Sequence, residues 1–186
     1  MLSDEQLMLD FQRGSQEAFT ELFARYRQPI YGYFWRRLAD AARAEELAQE
    51  TFLAVLRAVT RYEPRALFRT YLYRIALLQL AAERRKSAQR LAIFDLTPAD
   101  PPAAGNTEAE VAVRQALEKL DPDEREVLML REYEQLSYAE IAALQRVPIN
   151  TVRSRLFRAR LALKELLMPR AGQSGTGTPA CATSMR

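Results

Sequence analysis

With 186 residues, 48% of them apolar and 27% charged, the chain has the make-up of a soluble globular protein of one ordinary domain or two small ones. It has no histidine, one cysteine (Cys181) and six glycines without phosphate-loop or dinucleotide spacing, which excludes Ser-His-Asp and Cys-His chemistry, His-ligated metals, thiolate cages and internal disulfides. Lys and Arg outnumber Asp and Glu by 27 to 24, a net charge of +3 that names no partner, so the placement of charge matters more than its sum.

In residues 1–88, Phe19, Leu22, Phe23, Tyr26, Ile30, Phe34 and Leu38 recur at three- and four-residue spacing, the stripe of one long helix. Leu47, Thr51, Val55, Leu56 and Val59 outline a second helix. Pro64 then breaks the chain before Leu67, Tyr71, Leu72, Ile75, Leu78 and Ala82 outline a third. Residues 89–112, with Pro98, Pro101, Pro102 and Gly105, lack apolar periodicity and read as a flexible linker. Their net charge is −3, from Arg90 against Asp95, Asp100, Glu108 and Glu110.

Periodicity returns in 113–168. Val113, Ala116, Leu117 and Leu120 form one helix, which stops at Asp121-Pro122. Pro122 suits a first helical position, and Glu124 favours the start of a helix burying Val127, Leu128 and Leu130. Ser137-Tyr138-Ala139-Glu140 is a capping box before Ile141, Ala142 and Leu144. Pro148 opens a last helix carrying Val152, Leu156, Ala159, Leu163, Leu166 and Leu167. Residues 169–186 are a Gly/Ser/Thr/Pro tail that cannot build a core, and they read as disordered. No useful strand alternation occurs. The expected fold is all-α: two small helical domains joined by a flexible linker, the second containing a helix-turn-helix.

A short capped helix, a tight turn and a second helix have the layout that places a recognition helix in a DNA major groove. From Arg146 to Lys164 the sequence holds six basic residues and no acid. Val152, Leu156, Ala159 and Leu163 form the inner face. Arg153, Ser154, Phe157 and Arg158 fall on the outer one, where Arg reads guanine and Phe meets a thymine methyl. All but three of the basic residues are Arg (the exceptions are Lys86, Lys119 and Lys164). This bias fits nucleic acid and equally fits a GC-rich genome.

These stretches resemble a known family. Leu120 to Leu130 (LDPDEREVLML), Leu136 to Ala142 (LSYAEIA) and Val147 to Arg160 (VPINTVRSRLFRAR) are similar to the C-terminal domain of extracytoplasmic-function sigma factors of the sigma-70 family. Ala44 to Phe52 (AEELAQETF) resembles the family helix that docks on the core polymerase clamp. Phe68 to Ala76 (FRTYLYRIA), followed by Arg84-Arg85-Lys86, resembles the segment that melts and reads the −10 element. The likeness spans roughly residues 15–168.

The resemblance implies a transcription initiation factor with no cofactor and no metal. Its implied partners are core RNA polymerase (clamp and flap regions), promoter DNA and an anti-sigma factor. Asp40, Glu45, Glu46, Gln49, Glu50 and Phe52 would meet the polymerase, although the acids alone read as a solvated amphipathic face. Phe68, Tyr71 and Tyr73 would stack on opened bases, while Arg74, Arg84, Arg85 and Lys86 would hold phosphates. The same aromatics fit core packing, and the same cations fit a helix C-terminus. Arg131, Tyr138, Asn150, Thr151, Arg153, Ser154, Phe157 and Arg158 would meet the −35 element.

Departures from the family pattern are specific. Tyr71 stands for the usual Trp, Leu78 for an Asn, Ala139 for a frequent Glu, Arg146 for a turn Gly and Asn150 for a Gly. At 146 a side chain in a turn that favours Gly implies positive φ. One rival reading is a stand-alone helix-turn-helix regulator, which would bind duplex DNA tightly by itself. Another is an enzyme using Glu45, Glu46 and Glu50, disfavoured because they share one exposed-looking helix with no glycine-rich or metal-binding partner. The N-terminus is acidic and has no signal-peptide pattern, and no apolar run approaches a membrane span, so the expectation is a cytoplasmic protein without membrane insertion.

Overall fold

The computed structural model of the protein describes residues 2–94 and 107–168, with side chains through Gln89 and again from Thr107. The described residues form eight α-helices and one 3-10 turn. In the first unit, α1 (Asp4–Gln12), α2 (Gln16–Leu38) and α3 (Ala41–Ala58) succeed one another through very short turns. A 3-10 turn (Val59–Arg61) leads on to α4 (Phe68–Phe94). Helix starts are set by side-chain caps. Ser3, Ser15 and Asp40 accept from the N–H groups of Gln6, Ala18 and Arg43. Gly14, at φ +108°, makes the sharp α1–α2 turn.

The second unit comprises α5 (Glu108–Glu118), α6 (Pro122–Glu132), α7 (Tyr138–Gln145) and α8 (Ile149–Leu167). The capping box at Ser137 and Glu140 forms as expected, and Asp121 caps α6 with Pro122 in its first turn. Two features differ from the sequence reading. The N-terminal helix α1 stands as an element of its own, with an apolar face too short, at about two turns, to show a periodic stripe. Helices also enter both ends of the stretch 89–112. One is the end of α4. The other is α5, which starts from a second capping box, Thr107 with Glu110, masked in sequence by the run of Pro and Ala before it.

Leu7, Met8, Leu22, Ile30, Phe34, Leu47, Val55, Phe68 and Leu72 fill the first core. Leu120, Val127, Leu130, Leu136, Ile141, Val152, Leu156 and Ala159 fill that of the second unit, and the two run together as one continuous buried cluster. The units meet where α7 packs on α4. Arg69 on α4 grips Glu140 on α7 through three contacts of 2.7–3.0 Å. Beside it, Arg36 donates to both carboxylate oxygens of Glu134 (2.9 and 3.0 Å). Arg37 donates to Glu134 (3.2 Å) and to Glu126 (3.1–3.3 Å). These pairs join residues 71 to 98 positions apart, so no local pattern announces them.

Candidate nucleic-acid interface

The face of α3 away from its core residues Ala44, Leu47, Ala48, Thr51 and Val55 is exposed and acidic. It presents Glu45, Glu46, Gln49 and Glu50, with exposed Leu53 beside them. Gln49 donates to Glu45 (3.3 Å), and Glu46 pairs with Arg43, which also holds Glu83. Asp40 is exposed but already serves as the N-cap of α3. Phe52 is not on this face. It is 5% exposed and sits edge-on to Phe23 at 4.8 Å, inside the core.

On α4 the three predicted stacking aromatics separate. Phe68 and Tyr73 are buried, and only Tyr71 is partly exposed. Phe68 packs against Tyr26 and Tyr62; Tyr73 packs against Tyr33, and its hydroxyl donates to Glu134 (3.2 Å). Burial, together with the Glu134 carboxylate beside it, raises the Tyr73 pKa, so the phenol stays a donor. The accessible stripe is Tyr71, Arg74, Leu78 and Arg85, at spacings of three, four and seven residues, with Arg84 and Lys86 exposed alongside. Leu78, which replaces the family's Asn, is 58% exposed on that stripe.

The second unit presents the outer face of α8. Asn150, Arg153, Ser154, Phe157 and Arg158 are exposed and Thr151 partly so, while Val152, Leu156 and Ala159 are buried on the opposite side. Phe157, at 69% exposure, is the most exposed large apolar side chain among those described. Arg153 donates to Asn150 (3.2 Å), and the Ser154 hydroxyl donates to the Thr151 carbonyl (3.0 Å). The preceding turn has Arg146 at φ +58°, the left-handed conformation expected where a Gly is replaced. Arg131 and Tyr138 hold the α6–α7 turn together. The guanidinium donates to the Leu136 carbonyl (2.9 Å) and lies 5.4 Å from the Tyr138 ring centre.

The run from Arg146 to Lys164 is free of acid in sequence but not in space. Helix α6 faces it with three carboxylates: Asp123 pairs with Arg155, Glu124 with Arg158 and Glu132 with Arg160. Of the two arginines predicted to read bases, Arg153 is held only by a neutral amide, whereas Arg158 is already bound to Glu124. Among the described residues no three carboxylate or thiol groups converge on a metal site, and no helix is long and apolar enough to cross a membrane.

The chain is also similar to known proteins. Residues 22–90 match the family described as Sigma-70 region 2, and residues 110–163 match Sigma-70, region 4. The RNA polymerase sigma-H factor of Pseudomonas aeruginosa is 37% identical over 182 residues, covering 89% of this chain and 94% of that protein. The ECF RNA polymerase sigma-E factor of Escherichia coli K12 is 31% identical over 186 residues, covering 90% and 96%. Among solved structures, CnrH in complex with the cytosolic domain of CnrY aligns with a TM-score of 0.69 at 28% identity, covering 88% of this chain and 96% of that one.

Proposed function

The chain belongs to the extracytoplasmic-function sigma factors of the sigma-70 family, transcription initiation factors that bind core RNA polymerase and direct it to promoters, and from that premise we propose how its two units divide the work. The exposed acidic face of α3 (Glu45, Glu46, Gln49, Glu50) docks on basic residues of the polymerase clamp. The α4 stripe of Tyr71, Arg74, Leu78 and Arg85, flanked by Arg84 and Lys86, meets the opened −10 strand. Tyr71 supplies the stacking face and the cations hold phosphates. Phe68 and Tyr73 set the shape of that helix from inside the core, and Phe52 does the same for α3.

The outer face of α8 enters the −35 major groove, where Arg153 reads a base edge, Phe157 meets a thymine methyl, and Asn150, Thr151 and Ser154 contact edges or phosphates. Arg131 and Tyr138 orient the turn, and Arg158 joins the interface once Glu124 releases it. The chemistry of polymerisation stays with the polymerase, so this chain contributes surfaces. CnrH is solved with the cytosolic domain of CnrY. A partner of the same kind, an anti-sigma factor covering the polymerase-docking face, fits this chain.

The observation carrying this reading is the pairing of an exposed aromatic and basic stripe on α4 with an exposed helix-turn-helix face on α8. Its test is reconstitution with core polymerase and run-off transcription on genomic fragments. Promoter-specific initiation only in the presence of core polymerase is expected. Tight duplex binding by the isolated protein without polymerase association would instead favour a stand-alone regulator.

A further inference from the structure

Helix α1 lies outside both stretches matched by the family models, 22–90 and 110–163. Its contacts are nevertheless specific. Leu7 and Met8 are buried against the first unit. Asp4 accepts from Arg25 and Tyr26 on α2, which fixes the start of α1 to its neighbour. From this anchored position α1 reaches both ends of the connection between α3 and α4. Gln12 donates through Nε2 to the carbonyls of Val59 (2.9 Å) and Tyr62 (3.2 Å), where the connection begins. Glu5 accepts from the backbone N–H of Phe68 (2.8 Å), where α4 begins.

Between those two grips, residues 63–67 are exposed, and Leu67 is 52% exposed. This segment borders Tyr71. The Tyr62 ring lies edge-on to Tyr71 at 5.4 Å, and Phe68 lies 6.2 Å from it. An exposed loop held at both ends by side chains from a distant helix has the form of a binding segment positioned by a rigid scaffold. The first turn of α4 also has orphan N–H groups, and a carboxylate 63 residues away satisfies one of them.

We propose that α1 is part of the −10 reading apparatus and that Glu5 and Gln12 are positioning residues. Neither side chain touches DNA. Together they hold the 63–67 loop and the first turn of α4 in the register that presents Tyr71 to an opened base. This inference rests on the function proposed for α4.

The test uses holoenzyme assembled from full-length chain and core polymerase. It takes a promoter found by run-off transcription and the same promoter with its −10 bases replaced. Open-complex formation is measured on both, with polymerase affinity and melting temperature monitored in parallel. Glu5→Ala and Gln12→Ala should each reduce the ratio of cognate to altered promoter about fivefold, the effect expected of a lost helix cap. Polymerase affinity should be unchanged. Glu5→Gln keeps an acceptor oxygen and should restore most of the ratio, which separates positioning from folding should Gln12→Ala fail to fold.

An unchanged ratio in Glu5→Ala overturns the inference. So does an equal loss on both promoters in step with polymerase affinity. A wild-type chain that initiates nowhere would remove the underlying function instead, and this inference with it.

Discussion

Arg37 and Glu134, 97 residues apart, form an ion pair at 3.2 Å in which both side chains are 1% exposed. The Arg37 guanidinium lies 3.8 Å from the Tyr33 ring centre and also holds Glu126, while Glu134 is shared with Arg36 and the Tyr73 hydroxyl. The helical units are thus joined by a desolvated charge network as well as by the chain between them. A buried pair of this kind is weak evidence of net stabilisation, but removing one partner strands the other.

Glu134→Ala removes the carboxylate that Arg36 and Arg37 share and leaves buried Arg37 only Glu126, so the loss stays below that of a fully stranded buried charge, about 3–5 kcal/mol. Parting of the units relieves that loss by returning Arg37 to water. Small-angle scattering should therefore record a larger radius of gyration with helical content retained. An unchanged radius together with an unchanged denaturation midpoint would show that the pair does not hold the units together.

The Arg69–Glu140 contact should respond to acid. Burial opposes ionisation of Glu140, but the Arg69 guanidinium and the Ser137 amide outweigh it and hold the pKa below the ordinary 4.5. A depressed carboxylate pKa contributes stability that is complete above the ordinary value and is lost as pH falls through the depressed one. Acidification from about pH 5 to about pH 3 should weaken the α4–α7 contact, and Glu140→Gln should remove that component. The comparison is read from melting temperature against pH in the two proteins.

Arg153 and Arg158 should not be equivalent at the −35 element. Arg153→Ala should cost about 1–3 kcal/mol of promoter affinity if it reads a base. Arg158→Ala should cost less, because the wild-type side chain must first leave Glu124. Glu124→Gln should then strengthen binding of the wild-type guanidinium. Holoenzyme titrations on promoters with single −35 substitutions would measure all three, and equal losses for both arginines would contradict the assignment.

Leu78→Asn should alter −10 preference while changing stability by less than about 0.5 kcal/mol, since the side chain stands in solvent. Transcription from a library randomised at the −10 element checks this. An unaltered preference would remove position 78 from the DNA-reading stripe.

Arg146→Gly should stabilise the second unit by about 1 kcal/mol through relief of the left-handed backbone at φ +58°. Chemical denaturation of the two proteins would detect it. A loss of stability would mean that the arginine side chain makes a compensating interaction.

Where a helix has a periodic stripe and a capping residue, its position is readable from the sequence. α7 starts at the Ser137 box, α8 comes directly after Pro148, and even the strained turn at Arg146 is announced by a missing glycine. Side-chain orientation is less accessible. Phe52, Phe68 and Tyr73 share the helical spacing of their exposed neighbours, and their burial depends on which helix packs above them. Least accessible are contacts across the chain. Nothing near Arg36, Arg37 or Arg69 in sequence names Glu126, Glu134 or Glu140, and nothing near Arg158 names Glu124. Ion pairs over such separations exist only after folding.

The packing of α7 on α4 also sets a limit on reach. α8 packs on α7 and α7 packs on α4, so α7 stands between the two proposed DNA-facing helices. Under the proposed function, the reach between the α4 stripe and the outer face of α8 is fixed in this conformation by the α4–α7 contact. A promoter whose spacing this fixed reach does not match is engaged only by breaking the Arg37–Glu134 and Arg69–Glu140 pairs, and their strength then enters the free energy of that engagement.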